Sequence, residues 1–243
     1  MFRRLELAAP DSFDGAFQFC RVVYRGAANG DGADWAVDFP RADSNLMTRM
    51  SELTKMPISR LPDGEPNHLL IRLTQPELFK CPFIMMTEVG NIYLDNQEAK
   101  ALHDYLLKGG FLWADDFWGT AQWEQWEYEL RKVLPAAEHP IVDVPMDHPL
   151  LRAQFVVTEI PQIPNIGFFR RSGGGTSEQG ADSVTPTARI ISDSRGRVMV
   201  LMTHNTDISD SWEREGEDAS YFYAFSPKGY ALGINVLLYA MTH

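Results

Sequence analysis

Cysteine is scarce in this chain: Cys20 and Cys81 are the two among 243 residues, too few for the disulfide framework of a small secreted domain. Both lie in apolar runs and read as buried free thiols, small hydrophobes rather than nucleophiles or halves of a bridge. An uninterrupted apolar stretch of ~18 residues is also lacking, so no transmembrane segment is expected. Met1 to Pro10 has two arginines but no apolar export segment. This places the chain as it stands in the cytoplasm, or in the periplasm if it is the mature form of an exported protein. Positive charge is in the minority, 22 basic against 33 acidic side chains for a formal charge of -11, which argues against nucleic acid as a partner. The sequence has no strand-linked GxGxxG, no GxxxxGK[ST] loop, no HExxH and no GxSxG. Dinucleotide-binding, P-loop, zincin and hydrolase-elbow readings lose their motifs with them.

What is there is a globular composition, 44% hydrophobic and 23% charged, in a length suited to one domain with a large core. That domain is expected to span residues 1–243, with 1–16 as an N-terminal extension and the glycine- and serine-rich 170–183 as a mobile loop. Phe17 to Tyr24 predicts a first strand, followed by a surface loop from Gly26 to Gly32. Leu46, Met47, Met50 and Leu53 share one helical face after a cap at Asp43, Ser44 or Asn45. His68 to Leu73 and Pro82 to Thr87 are short apolar runs of the kind found in parallel strands covered on both sides. Asp95 and Glu98 form a capping-box pair ahead of Leu102, Tyr105 and Leu106, and Gly109-Gly110 ends that helix before a strand from Phe111 to Asp115. A helix from Thr120 to Leu134, a hairpin about Asp193 to Gly196, and a last helix capped at Ser226-Pro227 complete the pattern. The order predicts an α/β fold: a mainly parallel central sheet between helices, with an antiparallel hairpin at one side.

Ligand sites of open parallel sheets lie at the carboxyl ends of the strands. Asp115 and Asp116 fall there, as two carboxylates able to hold a divalent cation or to work as an acid/base pair, or simply to cap the next turn. A second group, His204, Asp207, Asp210 and Glu213, follows a predicted strand and offers metal ligands, although such charge-rich loops are commonly plain solvated surface. His148 stands before a proline, as a general base or as the cap of its own turn. Trp35, Trp118 and Trp212 lie outside the helical stripes and are candidate anchors for a partner, or core residues. No residue is assigned a catalytic role, and a divalent metal is the one cofactor the side chains suggest.

Taken together, FxFCRVVY near the start, Trp35 with Asp38-Phe39-Pro40, LxxYLxxGGFLWADDFWG, DHPL and the closing GINVLLYAMTH resemble the domain-of-unknown-function family 4159, uncharacterised bacterial proteins. The resemblance runs from about Phe17 to His243. It implies the class I glutamine amidotransferase-like superfamily and a three-layer flavodoxin-like sandwich. It also implies that Asp115-Asp116 takes the elbow where true amidotransferases carry their cysteine nucleophile, so glutaminase activity is not expected. His148-Pro149 is similar to a histidine-proline segment of trehalose-utilisation relatives. Members of the family often look exported or stand beside membrane-associated proteins. The expectation is a non-catalytic binding or accessory subunit with a protein partner and peripheral association through a membrane protein, with a metal-assisted hydrolase as the alternative. With no apolar export segment in Met1 to Pro10, this chain is expected to depart from the family in that respect.

Overall fold

The computed structural model describes residues 6–27 and 34–243. Residues 1–5 of the extension and 28–33 of the loop after the first strand lie outside the described residues. Nine strands and six α-helices follow in order: β1 (Cys20–Val22), β2 (Arg25–Gly26), α1 (Arg41–Thr54), β3 (Leu69–Ile71), β4 (Phe83–Thr87), β5 (Ile92–Tyr93), α2 (Asn96–Leu107), β6 (Phe111–Asp115), α3 (Gly119–Val133), β7 (Val142–Asp143), α4 (Ile166–Ser172), β8 (Thr187–Ser192), β9 (Val198–His204), α5 (Asp210–Glu213) and α6 (Ala219–Thr242). Seven strands form the central sheet in the order β3-β1-β4-β6-β9-β8-β7. The first five run parallel, and β8 and β7 close one side antiparallel. β2 and β5 make a separate antiparallel pair.

The alternation of side chains along each strand divides the core in two. Phe83, Met85, Phe111 and Trp113 face a layer with α1, α5 and α6, whereas Ile84, Met86, Leu112 and Ala114 face α2 and α3. The result is the α/β sandwich the strand and helix order predicts, flavodoxin-like in its three layers. Every residue of β4, β6 and β9 is buried, which is why these runs are apolar without alternation.

The α2 unit forms as its sequence dictates. The Asp95 carboxylate accepts from the amides of Gln97 and Glu98, and the Glu98 carboxylate accepts from the Asp95 amide. The chain leaves the helix through Gly109 at φ 110°, and glycine is required at 110 because a Cβ there would lie 2.3 Å from the Tyr105 ring.

Four expectations are corrected. Helix α1 begins at Arg41, ahead of the anticipated cap, because Asp43 is committed to a buried bidentate pair with Arg21, 3.0 and 3.1 Å from Nε. Leu53 is half exposed rather than core. Helix α6 begins at Ala219, where Asp218 accepts from the amides of Ser220 and Tyr221, so Pro227 lies inside the helix. Pro227 and Tyr223 are both on the solvent face, where water can take the hydrogen bond that the ring forfeits. Finally, Cys20 and Cys81 are not free thiols but a disulfide with Cα atoms 6.2 Å apart. Adjacent parallel strands bring them together: Cys20 is level with Ile84 on β4, just beyond Cys81. Spacing along the chain carries no sign of that adjacency.

Candidate functional site

Four of the five parallel strands, β1, β4, β6 and β9, send their exit loops to one edge of the sheet. A left-handed backbone recurs in those loops at non-glycine residues: Asp38 (φ 63°), Glu88 (φ 54°), Asp116 (φ 57°) and Asn205 (φ 60°). Such conformations are disfavoured outside glycine, least so for Asp and Asn, and they collect at functional sites. Here each turns the chain sharply at a strand or loop end and keeps its polar side chain at the sheet edge.

Asp115 closes β6 on the α1/α6 face and is fully buried. Its Oδ1 accepts from the Thr203 hydroxyl at 2.5 Å, and its Oδ2 accepts from the Ser209 amide and hydroxyl, both at 3.1 Å. Burial pushes its pKa up to about 6 against the pull of those hydrogen bonds. Asp116 accepts from Trp118 Nε1 at 3.0 Å. Its pKa lies well above the usual carboxylate range, first through burial and then through repulsion by Glu88, Asp38 and Asp115. Asp38, delivered by the loop before α1, is raised to about 7 by burial, with Arg21 opposing and Glu213 adding repulsion. Asp207 is raised well above its ordinary value by burial and then by Asp116 and Asp38. Asp210 reaches about 6, chiefly through burial, while accepting from the Ile166 amide and the Tyr221 hydroxyl. Glu213 is also raised, by burial first, with Arg214 opposing.

Carboxylate oxygens of Asp38, Asp116 and Asp207 lie within 4.8 Å of one another, as do those of Asp38, Asp210 and Glu213. The Ser209 hydroxyl sits among three carboxylates, 2.8 Å from Asp38, 3.1 Å from Asp115 and 3.2 Å from Asp207. One hydroxyl has one proton, so it satisfies a single acceptor at a time. Arg21 lies beside this group with its guanidinium already committed to Asp43, and Arg214 pairs with Asp210 at 3.3 Å and with Glu213 at 2.7 Å. Buried like charges without a counter-ion are costly. The buried triad Asp38, Asp116 and Asp207 therefore needs either retained protons or a cation, and an all-oxygen donor set suits a hard divalent ion such as Mg²⁺ or Ca²⁺.

A pH dependence follows. Between the ordinary Asp value and about 7, native Asp38 holds a proton that the unfolded chain has lost, so stability falls as pH rises through that window. His204, pushed down to about 4 by burial, acts in the opposite sense up to its ordinary pKa. A comparison with Asp38→Asn cancels that contribution. With divalent ions chelated, wild type should lose stability relative to Asp38→Asn from pH 5 to 7.5, by up to about 1.4 kcal/mol per pH unit. Parallel urea-denaturation profiles would contradict this.

Asp115, Asp116, Asp207, Asp210 and Glu213 are thus brought together, and the two histidines are not. His204 lies on the opposite face of the sheet between Phe117 and Trp123, with ring centroids 4.8 and 5.2 Å away and Nε2 3.0 Å from the Gly119 carbonyl. His148 accepts from the Leu150 amide at 3.1 Å, capping its own turn, and packs on Tyr239, which contacts Phe111 at the far end of β6. The tryptophans do not form an exposed set. Trp212 is fully buried against Trp113, with Gly233 of α6 close enough that a Cβ there would meet its ring at 2.6 Å. Trp118 is 5% exposed because its indole bonds Asp116, and Trp35 is half-buried against Phe39. Asp38 and Ser209 were not among the candidate site residues. Each sits in the exit loop of a parallel strand, a signal that becomes readable once the strand order is known.

At the start of α3 the amides that usually face a ligand are occupied. Trp118 N donates to Gln122 Oε1 at 2.6 Å, Gly119 N to Asn205 Oδ1 at 2.8 Å, and Thr120 N to Asp182 Oδ2 at 2.8 Å.

Fold and site define an α/β sandwich with an acidic centre at the carboxyl edge of its parallel strands. The chain belongs to the family described as Domain of unknown function (DUF4159), whose model matches residues 18–241. A search among curated proteins returns no match. No helix among the described residues is long and apolar enough to cross a membrane.

Proposed function

We propose that this chain is a non-catalytic, amidotransferase-like domain that takes a divalent cation among Asp38, Asp116 and Asp207 and presents that edge to a protein partner, as an accessory subunit of a larger, membrane-associated assembly. The observation that carries the reading is the strand-to-helix elbow. Asp116 stands there in place of a thiol, and the Trp118, Gly119 and Thr120 amides behind it are bonded to side chains instead of forming an oxyanion hole. Both cysteines are consumed in the disulfide, so neither supplies the thiolate that glutamine hydrolysis requires.

Metal-assisted hydrolysis is the second reading. In it Asp38, the residue shared by the two acidic triads, would take the proton of a water activated by a cation held on Asp116 and Asp207.

Capture from native extract separates the two. Wild type in Ca²⁺ or Mg²⁺ should retain a defined partner that is lost in EDTA and lost with Asp115→Asn/Asp116→Asn. Cation-dependent turnover of ester or phosphoester substrates, with no partner retained, would replace the binding reading with the hydrolytic one.

A further inference from the structure

The Asp38–Pro40 segment faces two ways. Asp38 enters the acidic cluster, while Phe39 and Pro40 line a separate cavity of about 410 Å³. That volume is within the range of small-molecule sites, about 300–1,000 Å³. Leu69 and Leu70 of the edge strand β3 form part of its lining, and so does the stretch from Glu6 to Ser12. The stretch is held in place by a bridge between Leu7 and Leu70, by Ala8 N donating to the Leu70 carbonyl at 2.7 Å, and by Gln75 Nε2 donating to the Ala8 carbonyl at 3.1 Å. The Phe39 ring is fixed edge-on to His68, centroids 5.0 Å apart.

Among the described residues that line the cavity, the formal charges are of one sign. Glu6 and Asp11 stand exposed at the rim, and no lysine or arginine is among the described residues that line the cavity. Aliphatic side chains and Phe39, with Ser12, Asn67 and His68 as the uncharged polar part of the lining and two carboxylates at the rim, are complementary to an apolar body with one positive charge. We infer that this cavity binds a small organic cation, a protonated amine on an aromatic or aliphatic body. The inference goes beyond the cation cluster and does not depend on it.

Calorimetric titration of the full chain in EDTA and low salt, with three probes of one shape, tests it: tryptamine (cationic), tryptophol (neutral) and indole-3-acetate (anionic). Tryptamine should bind saturably, on the order of fivefold more tightly than tryptophol, with indole-3-acetate weakest. Glu6→Gln/Asp11→Asn, at two exposed positions that leave the fold intact, should bring tryptamine down to the level of tryptophol. Ala9→Trp, which adds bulk to the wall, should abolish binding of all three. Absence of saturable tryptamine binding, equal binding of the three probes, or an unchanged affinity in Glu6→Gln/Asp11→Asn would each overturn the assignment. EDTA keeps these outcomes separate from any failure of the divalent site.

Discussion

Replacing Arg21 with methionine should destabilise the protein by about 3–5 kcal/mol, the usual cost of stranding one partner of a buried ion pair. Arg21 is fully buried on β1, with Asp43 equally buried opposite it. Its Nη1 donates to Thr87 Oγ1 at 2.9 Å and to the carbonyls of Val37 and Trp35 at 3.3 and 3.4 Å. Removing the guanidinium leaves the Asp43 carboxylate without a counter-charge and two loop carbonyls without a donor. Arg21→Met/Asp43→Leu removes both charges and should recover most of the loss. Val37 directly precedes Asp38, so the single variant should also loosen the loop that delivers Asp38 to the cluster. Urea denaturation reads the first effect, and a single variant within about 1 kcal/mol of wild type would contradict the stabilising role.

Cys20→Ala/Cys81→Ala should cost a similar amount. The bond closes a loop with a sequence separation of 61 residues, for which the chain-entropy model gives about 4 kcal/mol through loss of unfolded-state freedom. With total stabilities of about 5–15 kcal/mol, that is a large fraction of the whole. Denaturation with and without dithiothreitol measures it. Wild type under reducing conditions should match the double variant. A midpoint insensitive to both reductant and substitution would show that the bond contributes nothing.

Much of the architecture was legible in the sequence because its signals are local. The capping pair at Asp95 and Glu98, the apolar run at Phe83 to Thr87 and the turn at Asp193 to Gly196 each act over a few residues, and each produced the expected element. What was not legible depends on contacts across long stretches of chain. Cys20 meets Cys81 only because β1 and β4 pair. Asp43 is drawn from a cap to Arg21 by a strand 22 residues earlier. The site divides in the same way. Asp115 and Asp116 follow from the strand-end rule, and Asp207, Asp210 and Glu213 from their density in one loop. His204 was grouped with them by proximity in sequence, yet the pleat of β9 turns it to the other face, since Thr203 already points at Asp115. Asp38 comes from a loop remote from both groups, and it is the residue their two triads share.

The most direct test of the divalent site is calorimetric titration of the chelator-stripped protein with Ca²⁺ and with Mg²⁺ near pH 6.5, in two buffers of different ionisation heat, alongside Asp116→Asn/Asp207→Asn. The account predicts saturable binding with release of protons, because Asp38, raised to about 7, and Asp116 and Asp207, both raised well above the usual carboxylate range, must ionise to coordinate the ion. It also predicts a thermal midpoint roughly 5–10 °C higher at a hundredfold excess over Kd, with the double variant silent in both measurements. No saturable heat with either ion, or binding undiminished in the double variant, would contradict it and leave the cluster a set of carboxyls held together by shared protons.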